Sequence, residues 1–296
     1  MNLENHFSIR EVKTNEEFSD VQNLHKIIWG IKDIDVHPKH MLVGIQKSSG
    51  LLLCAYYNKQ PIGFFLGYCG LTEDLKPYLH CHNIAVLKNY RNCGIGCRLL
   101  MGVKNYMRIH KIQLARATFD PLESGNANLY FRKAGCISNK YIRDYYGTML
   151  DQRNADIPSD RLLVEYFISS NLVDRHPDQT QLSISLKNLE DLRNKALNRS
   201  QSSDVNLLVP KVLDLDKKKL VQNQVKDVYI EIPSNYQEMR QKNMHSVVKW
   251  RFELRDLIEK CFDLGMVIIG FIRLKDHCYY ILRVSSGFAG ENQLAE

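Results

Sequence analysis

The chain has 296 residues, 44% of them hydrophobic and 25% charged, with a formal net charge of +7 at pH 7. This composition is typical of a soluble globular protein, and no apolar run approaches the length of a membrane span. Residues 1–10 lack a basic start followed by an apolar stretch, so we expect no signal peptide. The positive charge is spread along both halves, which suits a small anionic ligand better than a nucleic acid or a membrane.

The eight cysteines are scattered along the chain without the paired spacing of a metal site. The closest pair, Cys93 and Cys97, lies in a glycine-containing turn and has no partner cluster. We therefore expect free thiols in a reducing compartment, which predicts a cytoplasmic protein without a bound metal.

Apolar periodicity predicts a mixed α+β block over about residues 1–170. In chain order the predicted elements are a strand at 7–13, a helix at 15–29 capped by Thr14 or Asn15, a hairpin of strands at 51–57 and 62–68, a strand at 78–86, a helix after Gly94, a strand at 113–119, a short helix at 126–134, and strands at 141–146 and 162–168.

A polar stretch at 171–204 follows and predicts a linker. The remaining residues, 205–296, predict a small C-terminal α/β extension with a strand at 228–233, a long helix at about 235–262 and strands at 266–274 and 278–284. A unit of this size buries little apolar surface by itself, so we expect it to pack on the first domain.

A glycine-rich turn joins the strand at 78–86 to the following helix and contains Arg91, Asn92, Cys93, Gly94, Ile95, Gly96 and Cys97. The first amides of a helix have no partner within the helix, and the helix dipole favours an anion beside them. The two glycines would let a phosphate approach where a Cβ atom would block it. The turn therefore indicates a phosphate or pyrophosphate site, although a helix N-terminus without a ligand also fits the pattern.

This turn resembles the phosphate loop of the Gcn5-related N-acetyltransferase (GNAT) superfamily, Gln/Arg-x-x-Gly-x-Gly/Ala, through Arg91, Gly94 and Gly96. The resemblance implies the GNAT fold, with a mixed and mostly antiparallel sheet flanked by helices. It also implies that the loop holds the pyrophosphate of acetyl-CoA or another acyl-CoA. In the family the preceding strand offers backbone groups to the pantetheine arm, which here would involve Ile84, Ala85 and Val86.

The helix that ends at Gly135 resembles the second coenzyme-binding motif of the family, with Ala127 in register. The usual asparagine of that motif would fall on Ser124, so the nearby Asn126 becomes the candidate ligand of the coenzyme. The usual tyrosine, a general acid in the family, falls on Phe131. The chain therefore departs from the family at the residue that most often protonates the leaving thiolate.

A closer resemblance covers nearly the whole chain and identifies a bacterial acetyltransferase subgroup with the same C-terminal extension. Some members of that subgroup are associated with N-succinylation of amino acids. The segments that carry the resemblance are Thr118–Leu122, Asn126–Ala127, Tyr146–Gly147, Asp160–Leu162, Glu231–Pro233 and Trp250–Arg255.

Four residues are candidates for the chemistry of acyl transfer: His82, His80, Asp120 and Tyr146. The two histidines are two apart on a predicted strand, which places them on one face unless a bulge intervenes. We favour His82 as the base with His80 as its partner, but satisfied polar residues in the sheet fit equally well. Asp120 could contact the substrate amine or stabilise its own turn, while Tyr146 could protonate the thiolate or pack in a core.

Arg251 and Arg255 are four apart and share one face of the predicted C-terminal helix. Arginine binds carboxylates through two parallel hydrogen bonds, so the pair could clamp a substrate carboxylate. Pairing with acidic residues of the protein itself is the more common role for such arginines.

We therefore predict an acyl-CoA-dependent N-acyltransferase that acts on a small-molecule amine by direct attack in a ternary complex. The sequence does not decide whether the protein forms a homodimer, which amine accepts the acyl group, or whether that group is acetyl or succinyl. One alternative is a non-catalytic module that binds or senses acyl-CoA, since the usual tyrosine is replaced. Another is that the C-terminal half forms a degenerate second transferase unit.

Overall fold

A computed structural model describes residues 7–149, 151, 154–168, 227–274 and 277–284. The predicted linker at 171–204 and the start of the predicted extension, 205–226, lie outside the described residues.

Ten described strands form a single twisted sheet in the order β1-β2-β3-β4-β5-β7-β6-β9-β10-β8. All neighbouring strands are antiparallel except β4 and β5, which run parallel, so the predicted mixed α+β sheet is confirmed. The strands are β1 Phe7–Glu11, β2 Leu51–Tyr57, β3 Gln60–Leu71, β4 Pro77–Val86, β5 Leu114–Phe119, β6 Ile137–Ile142, β7 Arg161–Phe167, β8 Asp227–Ile232, β9 Met266–Leu274 and β10 His277–Val284.

Helices cover both faces of the sheet. They are α1 Asn15–Trp29, α2 Lys39–Lys47, α3 Ile95–Ile109, α4 Ser124–Ala127, which continues as a π-helix at Asn128–Ala134, α5 Tyr236–Lys242 and α6 Met244–Asp263. Alternate residues of β2 enter two separate apolar cores: Leu51 and Leu53 join the core beneath α3 and α6, while Leu52 and Cys54 join the core beneath α1 and α2. The sheet therefore divides the interior into two layers.

The first helix shows why the local sequence folds as predicted. The Thr14 side chain accepts a hydrogen bond from the amide of Glu17, and the Glu17 side chain accepts one from the amide of Thr14. This reciprocal capping box satisfies amides at the start of α1, and Gly30 ends the helix with a left-handed backbone. The prediction of a helix at 15–29 with Thr14 as its cap is confirmed.

Two sequence predictions are corrected by the structure, and one helix was not predicted. Strand β6 spans Ile137–Ile142 instead of 141–146, because Gly135 ends the π-helix with φ +80° and the chain extends directly afterwards. The predicted long helix is two helices, because Asn243 has an extended backbone and its side chain caps α6 through the amide of Ser246. Helix α2 was not predicted, and Leu42 is its single buried residue.

The C-terminal elements join the same sheet through one backbone bridge between Ser138 of β6 and Ile268 of β9. Trp250 and Leu254 of α6 share an apolar core with residues of the first block such as Leu122. Every strand pair in the described C-terminal residues is antiparallel, and Asn243 rather than a glycine loop begins the long helix there. These features do not support a degenerate second transferase unit.

Candidate active site

The candidate site lies where the two parallel strands at the centre of the sheet separate. Strands β4 and β5 pair from Tyr78 and Leu114 as far as Cys81 and Ala117. Beyond those residues, β4 continues to Val86 and β5 to Phe119 without further pairing between them in the described part of the chain. The edge of β4 that faces β5 is therefore unpaired with β5 over residues 82–86. Its backbone groups, apart from the Val86 carbonyl that Arg91 binds, are available to a ligand.

A β-bulge lies at this point of β4. Asn83 pairs with Leu66 of β3, and Cys81 pairs with the next residue, Gly67, so His82 is the extra residue of the bulge. The His80 and His82 rings nevertheless lie on one face of the sheet, with centroids 6.0 Å apart. The shared face was predicted from their spacing, and the bulge turns Asn83 toward that face as well, where it contacts His37.

The glycine-rich turn begins α3 beside the free edge of β4. Gly94 is the N-cap of the helix with φ +80°, and no side chain caps the helix. The amides of Ile95, Gly96 and Cys97 therefore start the helix without partners inside it. A Cβ atom at Gly96 would meet only Leu129, at 3.5 Å, which is an ordinary contact. Protein packing thus leaves room for a small side chain at position 96.

Other residues of the turn keep it close to β4. Asn92 has a left-handed backbone with φ +63°, which asparagine tolerates better than most residues. The Arg91 guanidinium donates from Nε to the carbonyl of Val86 at 3.0 Å, and Cys93 Sγ lies 3.4 Å from the carbonyl of Arg91. The candidate phosphate site and the free strand edge are therefore neighbours.

The second candidate coenzyme motif flanks the same helix end. Leu129 of the π-helix lies against Gly96, and Asn126 lies three residues earlier, half-buried. Ser124 is buried and its hydroxyl donates to the carbonyl of Ser234 at 2.7 Å, so it is engaged within the protein. Asn126 therefore remains the candidate of the two for a coenzyme contact.

Four imidazole rings form a row that includes the two histidines of β4. His25 stacks on His37 at a centroid distance of 4.1 Å, and His37 lies 5.1 Å from His82. His80 ends the row next to His82. The amide of His37 donates to Nδ1 of His25 at 3.4 Å, and Nε2 of His37 lies 2.7 Å from Oδ1 of Asn83. The segment between α1 and α2, which carries His37, thus packs against the bulge of β4.

Burial keeps these rings neutral. Desolvation, followed by repulsion from His37 and His80, lowers the pKa of His82 to about 4. Desolvation, followed by repulsion from His37 and His82, lowers the pKa of His25 to about 3. Desolvation also lowers the pKa of His37 and of His80. Each ring is therefore an unprotonated imidazole at neutral pH, the form that can accept a proton.

Tyrosines surround the two histidines of β4. The Tyr68 ring of β3 lies 5.0 Å from His80 and 5.7 Å from His82. Tyr146, in the loop between β6 and β7, is 46% exposed, and its hydroxyl lies 3.4 Å from Oγ1 of Thr118. Thr118 directly follows Ala117, the last residue of β5 paired with β4, so Tyr146 reaches the point where the strands separate.

Asp120 and Arg251 do not have the predicted catalytic and substrate-binding roles. Asp120 is buried, accepts a hydrogen bond from the amide of Leu122 at 2.9 Å and binds Nη2 of Arg251 at 2.5 Å. The Arg251 side chain is fully buried, so it cannot reach a substrate carboxylate in an open cleft. The two charges compensate each other because each would be costly to bury alone.

Arg255 likewise binds a carboxylate of the protein. Its Nε and Nη2 atoms donate to both carboxylate oxygens of Asp160, at 2.8 and 2.9 Å. Burial opposes the ionisation of Asp160, but hydrogen bonds from Arg255, from the amide of Asp144 and from Tyr141 lower its pKa overall. The predicted arginine clamp for a substrate is therefore corrected to two ion pairs within the protein.

Other side chains near the site pair or pack within the protein. Glu165 of β7 pairs with Arg116 of β5 at 2.8 Å, on the face of the sheet that carries the histidines. Phe131 is fully buried, and neighbouring Tyr130 is buried with its pKa raised by desolvation. The site residues that the sequence did not reveal are His37 and Tyr68. Both reach the site through tertiary packing, and neither belongs to a local motif.

Among the described residues, no group of three or more His, Cys, Asp or Glu side chains is placed to hold a metal ion. None of the described helices is both long and apolar enough to span a bilayer.

Residues 18–135 match the sequence pattern of the family described as "Acetyltransferase (GNAT) family". This segment is therefore similar to the acetyltransferases of that family. The match includes the glycine-rich turn, the free edge of β4 and both histidines of that strand, and it ends at Gly135, where the π-helix ends. No curated protein matches the chain significantly.

Solved structures similar to the chain include Arabidopsis thaliana Naa50 in complex with a bisubstrate analogue. It has 18% identity and a TM-score of 0.44, over 54% of this chain and 98% of that chain. The Escherichia coli ribosomal-protein-S18-alanine N-acetyltransferase has 15% identity and a TM-score of 0.44, over 55% and 95%. A GNAT acetyltransferase from Elizabethkingia anophelis with acetyl-CoA bound has 19% identity and a TM-score of 0.41, over 55% and 99%.

Proposed function

We propose that the protein is an acyl-CoA-dependent N-acyltransferase that transfers an acetyl or succinyl group to the amine of a small molecule. The observation that carries this proposal is the position of the glycine-rich start of α3 beside the unpaired edge of β4, next to neutral histidines. The match to the GNAT family supports the same conclusion. Amino acids are among the candidate acceptors, and we propose a cytoplasmic enzyme that does not act on nucleic acids or membranes.

The donor would be held by backbone groups. The amides of Ile95, Gly96 and Cys97 would bind the diphosphate of the acyl-CoA, because they combine free N–H groups with the positive end of the helix dipole. The pantetheine arm would lie along the free edge of β4 at 84–86, where strand-like hydrogen bonds can form. Asn126 would contact the coenzyme from the opposite wall.

The base would be His82. An amine attacks a thioester only with an unshared electron pair, and its proton must leave as the new C–N bond forms. His82 lies at the bulge where the strands begin to separate and is kept neutral by burial, so it is ready to accept that proton. His80 lies beside it and would orient the ring or a bridging water.

The two remaining requirements are stabilisation of the oxyanion and protonation of the thiolate. Amides on the free edge of β4 would donate to the oxyanion. The Tyr146 hydroxyl would protonate the leaving sulfur, since Phe131 leaves no hydroxyl at the usual position and Tyr130 is buried. Direct attack then proceeds in one ternary complex, without a covalent enzyme intermediate.

The test is thiol release from acetyl-CoA and succinyl-CoA in the presence of a panel of amines that includes amino acids. His82→Gln should lower kcat by about 10²- to 10⁴-fold, the usual contribution of a general base, without weakening CoA binding. His245→Gln is the matched control, because His245 is exposed on α6. Equal turnover by the two variants would refute the role of His82, and failure of the wild-type protein to bind CoA would refute the proposal as a whole.

The second candidate function is a non-catalytic acyl-CoA-binding module. The observation that favours it is the buried Phe131, which removes the usual acid. Tight CoA binding without turnover of any donor and amine would support it. Turnover that depends on His82 would exclude it.

A further inference from the structure

One face of α6 carries three charged residues that each pair with a different part of the GNAT fold. Arg251, Arg255 and Glu259 are four residues apart and therefore lie along one stripe of the helix. They bind Asp120, Asp160 and Arg143 respectively, with Glu259 joined to Arg143 through two hydrogen bonds of 2.7 and 2.5 Å. The partners lie on two segments beside the candidate site, the turn after β5 and the loop between β6 and β7.

The donor-side wall is the turn between β5 and α4, residues 120–124. Besides the bond from Arg251 to Asp120, three C-terminal side chains bind this turn. The Tyr280 hydroxyl donates to the carbonyl of Pro121 at 2.7 Å, Gln237 donates to Glu123 at 2.6 Å and Arg273 donates to Ser124 at 3.0 Å. The C-terminal elements thus contact four of the five residues of the turn.

This turn leads directly into the helix that flanks the phosphate loop. Helix α4 begins at Ser124 and continues through the π-helix, where Leu129 lies against Gly96 at the start of α3. A displacement of the turn would therefore move Asn126 and Leu129 relative to the amides that would bind the diphosphate.

The acceptor-side wall is the described part of the loop between β6 and β7, residues 143–149, 151 and 154–160. Asp160, held by Arg255, accepts from the amide of Asp144 at 3.0 Å. Ser159 accepts from the amide of Tyr146 at 2.9 Å, which fixes the backbone of that tyrosine. The Arg255 pair therefore holds the base of the loop that presents Tyr145 and Tyr146 to the site.

We propose that α6 is a brace, that is, a helix that holds two parts of the site in position. Arg251 positions the donor-side wall, and Arg255 positions the acceptor-side wall. Both are positioning residues, because neither side chain reaches the space between the strands. The inference rests on the proposed function, and it assigns the C-terminal elements a role in setting the geometry of both substrate sites.

The test measures two properties of the full-length protein that need no knowledge of the acceptor. Isothermal calorimetry gives the Kd for CoA, and ¹⁹F NMR of protein labelled with 3-fluorotyrosine reports on the loop. Tyr145→Phe and Tyr146→Phe identify the two loop resonances. We expect Arg251→Gln to weaken CoA binding about tenfold, as a small displacement of a positioned group can. It should shift those resonances less than Arg255→Gln does, because only Arg161 links Asp120 to the Tyr146 ring among the described contacts. Arg255→Gln should shift the resonances and leave the Kd for CoA unchanged.

Each arginine variant is the control for the other, because both remove an ion pair of the same helix. The two-function brace is overturned if both variants change the Kd for CoA and the loop resonances to the same extent. It is also overturned if neither variant changes either property. If Arg251→Gln does not fold, Tyr280→Phe tests the same wall, since it removes only the hydroxyl bonded to Pro121. Unchanged CoA affinity in that variant would overturn the proposed role of the donor-side wall in CoA binding. Absence of CoA binding by the wild type would overturn the proposed function itself, whereas normal wild-type binding with unaffected variants would overturn the brace alone.

Discussion

Gly96 allows a test in which stability and ligand affinity change in opposite directions. It is the second residue of α3, beside the amides that would bind the diphosphate, and a Cβ atom there meets only Leu129 at an ordinary distance of 3.5 Å. Gly96→Glu therefore fits the fold. It also places a carboxylate where the proposal places a phosphate, so CoA should be repelled.

The expected gain in stability follows from the helix. Replacing glycine within a helix by a good helix former contributes up to about 1 kcal/mol, and an acidic residue in the first turn adds roughly 0.3–1 kcal/mol through the helix dipole. For a protein of this size, a total of about 1–2 kcal/mol raises Tm by a few degrees. Gly96→Ala is the control, because it gives the propensity gain without the charge, and the phosphate loop of the family accepts alanine there.

The expected loss in affinity follows from the anion site. A hydrogen bond from a backbone amide to a charged group contributes about 1.5–3 kcal/mol, so loss of one such bond weakens CoA binding by roughly 10- to 150-fold. Calorimetry with CoA and thermal unfolding of the same samples measure both effects. A Gly96→Glu variant that is at least as stable as the wild type and binds CoA equally well would refute the placement of the diphosphate at α3.

Two further predictions concern stability. Burial lowers the pKa of His82 and His25 below the unfolded value of 6.5. The contribution of each neutral ring to the free energy of unfolding is therefore complete above pH 6.5. It decreases by about 1.4 kcal/mol per pH unit as the pH falls toward about 4 for His82 and about 3 for His25. Urea unfolding from pH 7 to 4 should show this decrease, and His25→Gln should remove the part due to His25; a flat profile would contradict the neutral row of imidazoles. Gly63→Ala should destabilise the fold by about 1–3 kcal/mol, because its Cβ atom would lie 2.7 Å from the carbonyl oxygen of Ala85 in β4. Gly44→Ala, which meets no atom within 4 Å on α2, should be neutral or stabilising in the same urea assay.

The sequence predicted the elements whose signals are local. The cap of α1 is a contact between Thr14 and Glu17, three residues apart, so a short window of sequence contains both partners. The turn at Gly94 needs a positive φ, which glycine provides, and its position after an apolar strand indicated a helix start. The spacing of His80 and His82 likewise indicated one shared face, which the structure confirms.

The predictions that failed depended on partners distant in sequence. Asp120 and Arg251 are 131 residues apart, and nothing near either residue shows that they form a buried pair. A two-arginine stripe is compatible with a ligand clamp or with internal ion pairs, and only the fold decides between them. His37 was missed for the same reason, because it reaches the bulge of β4 from a segment without an apolar pattern.

The neutral state of His82 connects the fold to the proposed chemistry. Desolvation lowers its pKa because α1, the segment that carries His37 and the tyrosine of β3 pack around β4. A fully solvated histidine with a pKa near 6.5 would be a stronger base, but a fraction of it would be protonated near neutral pH. An imidazole with a pKa of about 4 is nearly all unprotonated there, although it binds a proton weakly. Such a base cannot hold the proton of a free ammonium ion, whose pKa is near 10, but it can accept one as the attacking nitrogen becomes acidic during C–N bond formation. The buried histidine is therefore suited to the bond-forming step rather than to deprotonation of the free substrate.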